Sequence, residues 1–225
     1  MANAPKTQSD KTRPDAPDVR TQILEEATRL FAAHGFDGTP LQAIADEVGV
    51  AKPSLLYHFP SKDELRRAVL DEVMTHWNEV LPRLLEAATT GEHRFESLLG
   101  EVVGFFTADA DRARLLVREM LDRPEELEHL FREYLGPWMR ILSDYIRRGQ
   151  QDGHLYRNAD PEAYILQIIQ LVVAGIAVGD VVESLLGPSD EDQPARDRQI
   201  TELMRVARSS LFIEPDHAGP DTLDQ

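Results

Sequence analysis

The chain has 225 residues, 42% of them hydrophobic, enough for one good-sized domain or two small ones with a real core. It has no cysteine, which excludes a disulfide framework, a thiolate metal site and redox sensing through sulfur. The net charge of −16 is unevenly spread: residues 1–66 carry 8 basic and 10 acidic side chains and the remainder 16 and 30, so the first part is nearly neutral while the rest repels polyanions.

Residues 1–17 are polar, hold no apolar run of the kind an export signal needs, and read as a disordered arm on a cytoplasmic protein. From residue 18 to 213 helical periodicity recurs and strand signals are almost absent, which predicts an all-α protein. Val19, Ile23, Ala27, Leu30 and Phe31 share one face of a first helix, expected over about Asp18–His34 and ended by the glycines of HGFDG. Thr39 is placed to cap a second helix, with Pro40 at its first position and Gln42 completing a capping box. Leu41, Ile44, Ala45 and Val48 are its apolar stripe, ending at Gly49. A short third helix then turns Leu55 and Phe59 inward and leaves Lys52, Ser54, Tyr57 and His58 outward.

Two short helices joined by a tight glycine-containing turn form a helix-turn-helix, whose second helix can lie in the major groove of DNA. In that arrangement Ser54, Tyr57 and His58 meet bases or phosphates, and Lys52 and Lys62 meet phosphates. The free amides at the start of the second helix add an anion site near Thr39 and Pro40. Pro53 sits in the first turn of the reading helix, where a missing N–H is tolerated.

Ser61 and Glu64 form a second capping box, opening a long helix on Leu65, Val69, Val73 and Trp77 with Pro82 near its end. Helices are expected near 93–107 and 109–121, then a long one from Pro124 to Arg148 with a wide apolar face and a kink at Gly136-Pro137. Asp160-Pro161 starts the most apolar segment, AYILQIIQLVVAGIAVGDVVESLL. Gln167, Gln170, Asp180 and Glu183 interrupt it, so it reads as one buried or subunit-facing helix; a membrane span would want about 20 residues nearly free of such groups. Gly175 and Gly179 form a G-x-x-x-G there, read as close helix packing. Ile200, Leu203, Met204, Ala207 and Leu211 mark a last helix, and residues 214–225 a polar tail. The histidines include no pair at helical ligand spacing, and no nucleophile elbow or phosphate loop occurs; no metal, cofactor or catalytic residue is expected.

The stretch Ile23–Leu65, ILEEATRLFAAHGFDGTPLQAIADEVGVAKPSLLYHFPSKDEL, resembles the DNA-binding region of the tetracycline-repressor (TetR) family. Its landmarks are LFAAHGFDGT closing the first helix, LQAIADEVGV, and an aromatic-containing reading helix followed by HFPSKDEL. Ala51, Pro53 and Leu56 depart from the residues members often carry there, which are Ser or Thr, Gly, and Tyr. Helix three thereby lacks a side-chain cap and one phosphate-bonding hydroxyl.

The resemblance implies a disordered arm 1–17, a helix-turn-helix domain 18–62, an effector-binding and dimerisation domain 63–213, and a disordered tail 214–225. It implies operator double-stranded DNA, a second copy of the chain and a small-molecule effector as partners, with no membrane. Phe105, Phe106, Leu116, Met120, Trp138, Leu142, Tyr145 and Ile169 are then expected around a largely hydrophobic effector, with Arg118 or Arg140 meeting any anionic end. Leu171, Gly175, Val178 and Val182 are expected to pack against the partner's copies and its last helix, through Leu203, Val206 and Leu211. The expected function is a ligand-responsive transcriptional regulator, most simply a repressor. Two alternatives stand beside it: a ligand-independent architectural or cell-division factor of the same fold, and an all-α enzyme.

Overall fold

The protein is described by a computed structural model over residues 18–87, 91–187 and 193–213; the expected arm and tail lie outside the described residues. Helix α1 (Val19–Gly38) starts at Asp18, whose Oδ1 accepts from the Thr21 amide at 2.7 Å. Its regular part ends where expected, because Gly35 takes φ +73°, a left-handed conformation that breaks the helix. Val19, in the first turn, stays 37% exposed instead of joining the core stripe.

The cap expected at Thr39 serves the other helix. Its buried hydroxyl donates to the carbonyls of Leu30 (3.1 Å) and Gly35 (2.8 Å), closing the end of α1. Unpaired carbonyls at a helix terminus are strong claimants for a nearby donor. Pro40 is left as the N-cap of α2 (Leu41–Val48), with no side-chain bond, and Gln42 bonds Asp46 at 2.7 Å instead of closing a box. Gly49, at φ +77°, ends α2 and lets the chain turn into α3 (Lys52–His58). Ile23, Ala27, Ile44, Ala45, Leu55 and Leu65 are completely buried where these helices meet. Each larger aliphatic group there contributes about 1.5–3 kcal/mol through removal from water.

Ser61 accepts from the Glu64 amide at 3.1 Å and opens α4 (Lys62–Ala87), which carries Pro82 in its last turns. Then follow α5 (Gly91–Ala108), α6 (Ala110–Asp122), α7 (Pro124–Tyr134) and α8 (Gly136–Gln151). The kink expected at Gly136-Pro137 is a full break between α7 and α8, since proline offers no N–H and its ring crowds the preceding turn. Asp160 caps α9 (Pro161–Ala177) through the Ala163 amide at 2.8 Å.

The single apolar helix expected from 161 onward is two, because the chain bends by 76° into α10 (Gly179–Leu185). Arg114 of α6 secures that bend, donating to the Ala177 carbonyl at 3.3 Å and to Asp180 at 2.8 Å. No single described helix is long and apolar enough to cross a membrane. α11 (Ala195–Ser209) completes the eleven helices of the described residues, and Leu155 pairs with Phe212 in an isolated bridge.

One apolar core runs without interruption from Ile23 in α1 to Ala207 in α11, crossing residues 62 and 63 through Leu65, Val69 and Val73 of α4. A smaller one, of Ile146, Leu155, Ile165 and Leu211, closes the far end. The N-terminal helices are thus seated on the body.

Candidate functional site

The outer face of α3 is held by its inner one. Leu55 (0% exposed) and Phe59 (4%) anchor the helix, so Tyr57 projects with 85% of its surface free. Lys52 and Pro53 are exposed, Ser54 and His58 half-buried, and the Tyr57 and His58 rings meet edge to face with centroids 5.4 Å apart. Pro40 is exposed beside the first turn of α2, whereas Thr39 is buried, its amide donating to the Phe36 carbonyl at 3.2 Å and its hydroxyl turned inward, and it is withdrawn as a DNA contact. Lys62 also departs from expectation: its ammonium lies over the Phe36 ring, 4.3 Å from the centroid, with the Arg123 guanidinium 4.4 Å from the same ring. Burial lowers the Lys62 pKa, and neighbouring Arg123 adds to the effect while Asp37 opposes it. Its partner is a ring at the base of α1, not the outer face of α3.

Behind this unit the helices of the body leave a cavity of about 450 Å³. α4 contributes Met74 and Trp77 to its wall, α5 Phe106, α6 Leu116 and Met120, and α9 Ile169. From α8 come Trp138, Leu142 and Tyr145. Of the eight residues expected there, Phe105 alone is elsewhere: its ring stacks on His76 (4.2 Å) and carries the Arg112 guanidinium at 4.4 Å, outside the wall. The polar wall groups are mostly engaged. Trp138 donates to Asn78 at 3.0 Å, and the Tyr164 hydroxyl donates to the Ala207 carbonyl, its pKa raised by burial to about 12. Burial also raises the Tyr145 pKa, against the nearby Arg94.

Between the two sites runs α6. Leu116 and Met120, one turn apart, face the cavity; between them Arg118 faces α1 and Glu119 faces α4. Arg118 donates to the carbonyls of Ala32 (2.6 Å) and Ala33 (2.9 Å), just ahead of the break at Gly35. Buried Arg66 of α4 bonds buried Glu119 at 2.8 Å through Nε, and also meets Glu126 of α7. The expectation that Arg118 or Arg140 meets an effector therefore fails: Arg118 is committed to α1, and Arg140 is exposed and outside the wall.

The family model for bacterial regulatory proteins of the tetR family matches residues 23–69. The HTH-type transcriptional regulator LmrA of Bacillus subtilis is 30% identical over 136 residues, 58% of this chain and 72% of LmrA. The HTH-type transcriptional repressor KstR2 of Rhodococcus jostii is 30% identical over 151 residues, 64% of this chain and 71% of KstR2. The chain belongs to the TetR family. It is a DNA-binding transcriptional regulator, not an enzyme. The ketosteroid regulator KstR2 of Mycobacterium tuberculosis shares the TetR fold with a TM-score of 0.68, over 89% of this chain and 98% of that one, at 16% identity.

In this TetR regulator the residues expected at a subunit seam divide. Leu171 (42%), Val178 (49%) and Val206 (38%) are exposed. Gly175 faces α11 of its own chain, where a Cβ would lie 3.3 Å from Gln199 Nε2, and Val182 and Leu203 are half-buried. Leu211 is withdrawn from the seam, being 1% exposed in the smaller core and part of the cavity wall. Sequence reasoning missed Val181 and Leu185 on α10, exposed by 63% and 78%, because it had no bend there. It also missed Trp77 and Phe131 as wall residues; both stood out only as members of apolar helix faces.

Proposed function

We propose that this regulator is a homodimeric repressor in the cytoplasm, released from its operator when a small, largely hydrophobic effector fills the cavity. In this reading α3 enters the major groove with Tyr57, His58 and Ser54, while Lys52 and the start of α2 at Pro40 take phosphates. The observation that carries the reading is the double duty of α6, which lines the cavity with Leu116 and Met120 and grips α1 and α4 with Arg118 and Glu119. A molecule that displaces α6 moves both grips at once. Reading helices in successive grooves must sit roughly 34–36 Å apart, so a small swing of the N-terminal unit costs operator affinity.

The dimer reading is supported by apolar side chains with no cover in one chain: Leu171 on α9, Val178 at the bend, Val181 and Leu185 on α10, and Val206 on α11. Leu171→Glu combined with Val178→Asp is expected to give monomers in sedimentation; a dimer that persists puts the seam elsewhere.

Coupling is tested by calorimetry with a compound found to release the protein from a selected operator, titrated with and without that DNA. A differential of about 1–3 kcal/mol, hence about 5- to 150-fold, is expected, and reciprocity requires the operator to weaken the compound by the same factor. Equal affinity in the two titrations means that cavity filling is unconnected to DNA release.

A further inference from the structure

We propose that the cavity admits an uncharged lipophile, a hydrocarbon body with at most one neutral hydrogen-bonding group set against Tyr145, and rejects the ionised acid or amine of the same skeleton. This rests on the cavity being the effector site.

The wall has almost no means of meeting a charge. Among the described residues Glu128 is the one ionisable Asp, Glu, Lys, Arg or His that lines it, and Glu128 is an exposed rim residue paired with Arg132. Arg118, on the helix that supplies Leu116 and Met120, spends its guanidinium on the Ala32 and Ala33 carbonyls. Arg94 lies 5.7 Å from the centre of the Tyr145 ring but is not a wall residue. The stretch 84–92, from the end of α4 to the start of α5, contains no basic residue in its sequence, only Glu86 and Glu92 among charged ones. An ionised group carried into such a lining loses its water and gains no partner in the wall, and at Tyr145 burial already outweighs the attraction of Arg94, so the group enters neutral or stays outside.

Hydrogen-bonding capacity is nearly as scarce. The Trp138 N–H and the Tyr164 hydroxyl are committed to Asn78 and Ala207, and Gln170 is exposed at the rim. That leaves the Tyr145 hydroxyl, for which no hydrogen bond is found among the described residues. A cavity of about 450 Å³ holds roughly fifteen non-hydrogen atoms, taking about 30 Å³ for each as for liquid water.

The two tryptophans of the chain, Trp77 and Trp138, both line the cavity, so intrinsic fluorescence reports its filling directly. The full chain is titrated near neutral pH with decanol, decanoate, decylammonium and decane. Decanol is expected to give a saturable change, with decanoate and decylammonium at least about tenfold weaker, and decanoate gaining affinity as pH falls through the carboxylic range. Tyr145→Phe is expected to weaken decanol about two- to tenfold and leave decane unaltered, as fits the loss of one neutral hydrogen bond. Equal binding of decanol, decanoate and decylammonium overturns the exclusion of charge while the cavity reading stands. Unchanged decanol affinity in Tyr145→Phe overturns the role of that hydroxyl. No saturable binding by any of the four removes the cavity reading and the lipophile with it.

Discussion

The N-terminal three-helix unit and the body behind it are opposites in where they leave physical chemistry unfinished. In the first, six completely buried side chains fill the interior and the unspent groups are outside: a tyrosine 85% exposed, a lysine and a proline beside it. In the second, the surface is strongly acidic and the unspent space is inside, about 450 Å³ walled by aromatic and aliphatic groups. Each region is thus incomplete in the direction of the partner proposed for it, a grooved polyanion for one and a small apolar molecule for the other. The near-neutral charge of residues 1–66 beside the net −14 of the remainder restricts DNA to the unit that can read it.

Just past the N-terminal unit, α4 is tied to α6 by a buried ion pair, and breaking it has the largest expected effect. Arg66→Met leaves the Glu119 carboxylate buried without its partner, a loss of about 3–5 kcal/mol in denaturant unfolding, whereas pairing it with Glu119→Leu should recover most of that. If the single and double variants unfold alike, the unpaired buried carboxylate is not the source of the loss. Arg66 also gives a pH signature through its second partner, Glu126 of α7. The hydrogen bond from Arg66, the larger cause, together with its charge holds the Glu126 carboxyl below its ordinary value of 4.5. A lowered folded-state value means stability that is fully present above the ordinary value of 4.5 and lost as pH falls from there through the depressed one, so Glu126→Gln should flatten the acid limb of the unfolding curve. An acid limb of unaltered slope would assign the pH dependence to other carboxylates.

Next in size is the reading face alone. Tyr57→Ala is expected to cost about 1–3 kcal/mol of operator affinity if the ring meets a base, with thermal unfolding unmoved because the residue is exposed. Lys52→Ala should weaken all sequences alike and lower the salt slope by about 0.9. Operator affinity that ignores both substitutions would take α3 out of the interface. The smallest effect is expected at the turn between α2 and α3: Gly49→Ala forces a side chain into φ +77°, at about 1–2 kcal/mol, although no atom lies within 4 Å of the added methyl. Its unfolding midpoint tests whether backbone strain, and not crowding, makes that glycine necessary.

How far the sequence revealed all this follows the same division. Around α3 the signals are local: Gly49 ends one helix, Leu55 and Phe59 orient the next, and the outer face follows by exclusion. The misplaced residues there, Thr39 and Lys62, sit where two elements meet, and spacing does not say which of them a side chain will serve. In the body, periodicity separates inside from outside but does not choose among inner neighbours. Phe105 and Phe106 are adjacent aromatics on α5, both buried, yet only Phe106 reaches the cavity while Phe105 stacks on His76. The bend between α9 and α10 was equally hidden, and the side chain that bonds across it, Arg114, lies more than sixty positions earlier in the chain.

The interleaving on α6 also constrains how regulators built this way can diversify. Leu116 and Met120 share a short helix with Arg118 and Glu119, so an insertion, a proline or a change of register that reshapes that wall also disturbs the grip on α1 and α4. Trp138 and Leu142 on α8 and Ile169 on α9 line the same space on helices without such a grip. New ligand preferences should therefore arise mainly by substitution on α8 and α9, with α6 drifting more slowly.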